Sequence, residues 1–150
     1  MVIAADTSFL FALYGNDCHS VTAAEWVSVS TSPILISDFN DFNDFNDFEL
    51  RNALRFSEFS KRVIPGTAAT HLSLLQDAIA AGRLVPFKSN LSSILTEAKR
   101  LSIIHTLTGG HRGFDILHVA AANIIGASHF LTFDKNQKQL AENEGLIAPL

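Results

Sequence analysis

The sequence predicts an open α/β fold, a central and mainly parallel sheet flanked by helices. Two observations carry this. The runs Val2-Ile3-Ala4-Ala5 and Ile34-Leu35-Ile36-Ser37 are short and apolar, as strands buried on both faces are. Around them lie segments whose apolar residues recur at helical spacing, so strand and helix alternate and right-handed crossovers follow. At 150 residues the chain is long enough for one domain with a real core and too short for two ordinary ones, so residues 1–150 are expected to fold as a single unit.

Taken in order, Val2 to Ala5 form the first strand and deliver Asp6-Thr7-Ser8 at its end. Phe9 to Tyr14 continue apolar, and Gly15-Asn16-Asp17 signal a turn before a helical stretch, His19 to Val29, whose inner face is expected at Val21, Ala24 and Val27 beside a packing Trp26. Ser32-Pro33 breaks that helix ahead of the second strand. Next comes a low-complexity run, Asp-Phe-Asn repeated from Asp38 and reaching Asp47-Phe48. Residues three apart step back by about 60° on a helix, so these phenylalanines would not form a narrow stripe. Asp and Asn favour turns and caps, so residues 38–48 are expected as an irregular insertion, with Asp47 as the N-cap of the helix that follows. Two roles are open to the insertion: a tolerated duplication in a loop, or an aromatic contact surface for a partner or for bases.

Glu49 to Lys61 is helical, with Leu50, Ala53, Leu54 and Phe59 expected inward. Pro65-Gly66 ends it, and Thr67 to Gly82 form a second helix through Ala68, Leu72, Leu75 and Ile79, making a hairpin with the first. Leu84 to Phe87, containing Pro86, is a short strand or edge segment, and Leu91 to Leu107 is an amphipathic helix through Ile94, Leu95, Ala98, Leu101 and Ile104. Gly109-Gly110 turns the chain into an alanine-rich helix opened by Asp115. His129 to Phe133 is a strand closed by Asp134, Lys135 to Glu144 a polar helix, and Leu146 to Ala148 a short edge strand.

Composition limits the function classes. Hydrophobic residues make up 47% and charged ones only 17%, below the usual ~25%, so some apolar surface is expected to meet a partner. The formal charge of −4 argues against wrapping nucleic acid by bulk charge, yet not against a small cation-mediated phosphate site. A single cysteine, Cys18, excludes an internal disulfide and suits a reducing cytoplasm. No basic leader precedes the first apolar residues and no apolar run approaches the ~18 residues of a membrane span.

Four acids then stand out: Asp6 after the first strand, Glu49 at a helix start after the second, Asp115 at a helix start, and Asp134 after the late strand. In a parallel sheet these transitions share one edge, where open α/β folds place ligands. Asp115 and Asp134 also suit plain helix capping. Clustered carboxylates repel, so they take up protons or bind a hard divalent cation, for which Mg²⁺ or Mn²⁺ fits an oxygen donor set. Metal-assisted phosphodiester hydrolysis is the reaction class this suggests.

The same residues resemble a known family. Ala5-Asp6-Thr7-Ser8, Glu49-Leu50-Arg51-Asn52-Ala53-Leu54, Arg112 with Asp115-Ile116-Leu117-His118-Val119-Ala120-Ala121-Ala122, and Leu131-Thr132-Phe133-Asp134 look like the four acidic motifs of PIN-domain ribonucleases, especially VapC-type toxins, in order and over nearly the full length. The resemblance implies a three-layer α/β/α sandwich, a Mg²⁺- or Mn²⁺-dependent endoribonuclease acting on structured or messenger RNA, a homodimer, and a cognate antitoxin partner. Asp6, Glu49, Asp115 and Asp134 would be the catalytic metal-binding set. Thr7, Ser8 and Thr132 would be supporting hydroxyls, Thr7 and Ser8 also near substrate, and Arg112 would hold a substrate phosphate or form a surface ion pair. His118 is expected to pack or hydrogen-bond structurally. The triplet run departs from the family pattern and makes Asp38, Asp41, Asp44 and Asp47 rivals to Glu49, though only Glu49 is followed by Leu-Arg-Asn-Ala-Leu. A non-catalytic PIN-like binding module, and a phosphotransfer domain with Asp6 as nucleophile, are the competing functions; the second lacks an aspartate two positions after Asp6.

Overall fold

The computed structural model describes residues 1–39 and 45–150, and side chains at 37–46 are not described. The elements run β1 (Ile3–Ala5), α1 (Thr7–Tyr14), α2 (Ser20–Val29), β2 (Ile34–Phe39), α3 (Phe45–Phe59), α4 (Thr67–Ala80), β3 (Leu84–Ser89), α5 (Leu91–Gly109), α6 (Gly113–Ile124), β4 (His129–Leu131) and α7 (Lys135–Asn143). The sheet has the order β3-β2-β1-β4, and every pairing is parallel. Ile3 sits between Ile34 and His129, and Ala5 pairs with Leu131, so the ends of β1 and β4 leave the sheet together.

Alternation along β1 sorts its side chains to two cores. Ile3 and Ala5 join Phe9, Leu10, Ala23, Leu50, Leu54 and Leu75 beneath α1 to α4. Ala4 and Phe130 join Ile94, Leu101, Val119, Ala120 and Leu140 beneath α5 to α7. The result is the expected three-layer α/β/α sandwich, and β1, covered on both sides, is apolar throughout for that reason.

Several expectations need correction. Phe9 to Tyr14 carry no helical period, yet they form α1, because Asp6 caps the helix by accepting from the Phe9 N–H at 2.9 Å. On α2 the inward residues are Ala23, Trp26 and Val27, while Val21 is 70% exposed and Ala24 also faces out. With apolar residues spread around the helix at Val21, Ala23, Ala24, Val27 and Val29, the buried face is chosen by the neighbour it docks on, here α1. Helix α3 begins at Phe45, so Asp47 is no N-cap; it sits in the first turn and pairs with Arg51. Its Phe59 is 81% exposed, although Leu50 and Leu54 are buried as expected. Strand β2 runs through Asp38 and Phe39, pairing with Lys88 and Ser89, so the triplet run is taken up at both ends by regular structure. Residues 40–44 lie outside the described residues, and with them Asp41 and Asp44. Leu95 and Ile104 of α5 are largely exposed, with Ile94 and Leu101 carrying the contact. The tail makes a single bridge, His129 with Ile147, rather than a strand.

Candidate active site

Parallel pairing brings the C-terminal ends of β1 and β4 side by side, and Asp6 is fully buried between them. Its carboxylate accepts from Ser8 Oγ at 2.7 and 2.9 Å, from Thr132 Oγ1 at 2.7 Å and from the Phe9 N–H. Burial nonetheless pushes its pKa up, against the pull of those hydrogen bonds and of the His118 charge. Thr132 Oγ1 also accepts the Asp134 N–H at 3.0 Å, so one hydroxyl ties the first acid to the last. Ser8 Oγ accepts the Phe133 N–H at 2.9 Å. The hydroxyls of Ser8 and Thr132 are thus spent on fixing Asp6 and the chain after β4. The Thr132 side chain is itself buried and reaches Asp6 directly.

Asp134 caps α7, accepting from the backbone N–H groups of Asn136 and Gln137 at 2.7 and 3.1 Å, as the capping expectation had it. Asp115 stands in the first turn of α6, where Arg112 holds the N-cap position without a capping side-chain bond. Burial, and next the charge of Asp134, raise the Asp115 pKa, against the guanidinium and backbone of Arg112 and the charge of His118. Arg112 is exposed and makes no ion pair within 4 Å among the described residues, so of its two alternatives the surface ion pair is not formed there. Glu49 projects from α3 to accept a hydrogen bond from Thr7 Oγ1, and His118 Nε2 lies 3.2 Å from the same Oε2. Burial opposes its ionisation, but the His118 and Thr7 contacts and the His118 charge outweigh it and leave its pKa below the ordinary glutamate range. His118, one turn after Asp115 and nearly fully buried, is therefore structural as expected and also electrostatically joined to Asp6, Glu49 and Asp115.

Two residues here are not among the sequence-derived candidates. Gln137 donates from Nε2 to Asp115 Oδ1 at 3.3 Å, while its Oε1 is buried without a partner among the described residues. His111 is buried with an unpartnered Nδ1, and burial, with the nearby His105, pushes its pKa down against the charges of Asp115 and Asp134. A polar residue on the buried face of α7, beside Leu140 and Ala141, is the signal that marks Gln137 in the sequence.

Among the described residues, no three acids, histidines or cysteines close on one point as a ready-made metal cage. What they do form is an all-oxygen edge in which two carboxylates are held against their own ionisation. Hard divalent cations suit such donors, and a bound cation would relieve both raised pKa values. A cavity of about 590 Å³ opens at the opposite edge of the sheet between Tyr14, Trp26, Pro33 and Arg83 and contains none of the acids. A cleft of about 360 Å³ lies at the acid edge instead, bordered by Thr7, Ser8, Phe133 and Asp134.

This architecture has a solved counterpart. The crystal structure of VapC20 of Mycobacterium tuberculosis, a toxin that cleaves the sarcin–ricin loop, superposes with a TM-score of 0.67 over 97% of this chain and 96% of that one, at 16% sequence identity. The chain has the PIN-domain fold. No protein-family model matches it, and no curated protein matches by sequence. In this PIN-domain fold Thr132 links Asp6 to the Asp134 backbone, Gln137 of α7 reaches Asp115 of α6, and α3 brings Glu49 to Thr7 and His118.

Proposed function

We propose that this chain is a divalent-metal-dependent endoribonuclease that hydrolyses RNA phosphodiester bonds, the toxin of a toxin–antitoxin pair. The observation that carries the reading is the acid edge itself: Asp6 and Asp115 are held with raised pKa values, the second beside Asp134, at the sheet edge of a PIN-domain fold. Burial raises both, joined at Asp115 by the charge of Asp134, and perturbed carboxylates in a cleft mark a candidate functional site.

Asp6, Glu49, Asp115 and Asp134 are the residues that would hold Mg²⁺ or Mn²⁺. Bound there, the cation supplies an activated water and neutralises charge developing at phosphorus. The chain's own residues set the geometry. Ser8, Thr132 and the Phe9 N–H hold Asp6 rigid, Thr7 and His118 orient Glu49, and Gln137 orients Asp115. Arg112, exposed at the mouth of α6 and free of ion pairs among the described residues, is placed to bind a substrate phosphate in a bidentate fashion.

Exposed apolar residues supply surface for protein partners. Leu95, Ile103, Leu107 and Phe114 stand out from α5 and α6, with Leu107 97% exposed, and a second copy of the chain and an antitoxin are the partners this reading assigns. A cytoplasmic location accords with such a role, and among the described residues no helix is long and apolar enough to cross a membrane.

The test is cleavage of a structured RNA by purified protein with Mg²⁺ or Mn²⁺, wild type against Asp115→Asn. Loss of cleavage in a variant that still melts cooperatively is expected; equal cleavage by the variant refutes the reading. The absence of a preformed three-ligand cage among the described residues favours one competitor, a PIN-like module that binds RNA or protein without cutting. Calorimetry separates the two, because the module takes up no Mn²⁺ at millimolar concentration.

A further inference from the structure

The rings of Phe9, Phe133 and His19 form a pile that climbs from the core to the acid edge. Phe9 is fully buried and lies 6.0 Å from Phe133 at an interplanar angle of 19°; Phe133 lies 4.3 Å from His19 at 9°. Trp26 anchors the base of the pile edge-on, 6.1 Å from Phe9. His19 is exposed, so the pile ends in a flat ring whose outer face meets solvent. That end opens on the 360 Å³ cleft, which Phe11 and Asp17 also line and which reaches Ser8 and Asp134.

Asp17 stands in the same cleft, beside the stack. Its Oδ1 accepts the His19 N–H at 2.7 Å, which locks the His19 backbone in place, while Oδ2 accepts no hydrogen bond among the described residues. A stacking face and an open carboxylate acceptor together suit a planar ligand with N–H donors on its edge. Amino acid side chains of that shape are few; nucleobases with exocyclic amino groups have it by nature, and unpaired bases are read by stacking and edge contacts of this kind. An adjacent acid edge calls for a strand of RNA to pass at the same place.

We propose that the cleft between Phe11, His19, Phe133 and Asp17 is a base subsite of the nuclease, taking one unpaired, amino-bearing nucleobase next to the scissile phosphate, with His19 as the stacking platform and Asp17 as the reader of its donor edge. The inference rests on the ribonuclease reading, which it extends to substrate selection. It also assigns aromatic recognition to His19 and Phe133 rather than to the Asp-Phe-Asn run.

Binding is measured with metal-free protein in EDTA, by fluorescence anisotropy of labelled UUGUU and UUUUU RNA, so that affinity is read without cleavage. Wild type is expected to prefer UUGUU. His19→Ala should weaken UUGUU by roughly five- to a hundredfold, the range for loss of one stacked base, and His19→Trp should restore it. Asp17→Asn, which keeps an oxygen for the His19 N–H, should erase the preference while leaving UUUUU unchanged. All of these residues are half-buried or exposed, and the melting temperature of each variant reports its folding. Equal binding of both RNAs by wild type, or unchanged binding in His19→Ala, overturns the subsite even if the enzyme cleaves RNA. Preference and its loss in the variants, without cleavage by any form in Mn²⁺, would uphold the subsite and sink the nuclease reading instead.

Discussion

Replacing Thr132 with valine is the most direct probe of how the acid edge is held. The two side chains have nearly the same shape, so the change removes an oxygen and little else. That oxygen donates to Asp6 Oδ2 at 2.7 Å and accepts the Asp134 N–H at 3.0 Å, in a residue that is 1% exposed. A hydrogen bond to a charged acceptor is worth about 1.5–3 kcal/mol, and the orphaned Asp134 N–H adds a part of one kcal/mol because Asp134 is only half-buried and can rehydrate. Asp6 limits the loss by taking up a proton more readily, its pKa already being raised by burial. The net cost is about 2–3 kcal/mol, which for a chain of this size lowers the melting temperature by roughly 5–10 °C. Thermal unfolding followed by circular dichroism in metal-free buffer at pH 7 measures it. Thr132→Ser keeps both hydrogen bonds and should lose only about 1 kcal/mol for the buried methyl group. A valine variant melting within a degree of wild type, or a serine variant melting below valine, would refute the argument that this hydroxyl joins Asp6 to Asp134.

The other predictions follow from the same contacts. Gln137→Met should melt at or above the wild-type temperature in metal-free buffer, because it removes a buried oxygen with no partner, yet bind Mn²⁺ more weakly by calorimetry because Asp115 loses its Nε2 donor; a fall of several degrees with unchanged metal binding contradicts this. Glu97 and Glu144 surround Arg100, and against the effect of burial Arg100 with other hydrogen bonds holds both carboxyls below the ordinary 4.5. A depressed acid pKa gives stability that is whole above pH 4.5 and is lost as pH falls through the folded-state value, so urea midpoints should drop below pH 4.5, and drop less in Glu144→Gln. Light scattering should show a dimer in wild type and a monomer in Leu107→Glu; a wild-type monomer removes the second-copy assignment of the α5–α6 surface.

Much of this was legible along the chain. Asp6, Asp115 and Asp134 could be placed at one sheet edge because a strand end or a helix start is written locally, by an apolar run that stops at an acid. The covered strand β1 announces itself by lacking alternation, since both its faces are buried. Helix faces were harder where apolar residues are spread around the helix. Val21 and Ala24 read as well as Ala23 on α2, and only docking against α1 decides between them. Phe59 illustrates the opposite limit, an apolar residue in the right phase of α3 that lies beyond what the core reaches.

Order, strand ends and the presence of four acids are thus properties of the sequence alone, because they depend on neighbours a few residues away. Tertiary structure decided which groups touch. Thr132 lies 126 residues from Asp6, Gln137 lies 22 from Asp115 and His118 lies 69 from Glu49, and no local pattern encodes such contacts. They arise because parallel pairing of β1 with β4 brings two distant strand ends together, after which burial raises the pKa values of Asp6 and Asp115. The ring pile from Phe9 through Phe133 to His19 has the same origin: its members belong to α1, the loop after β4 and the turn before α2, and only the folded chain stacks them.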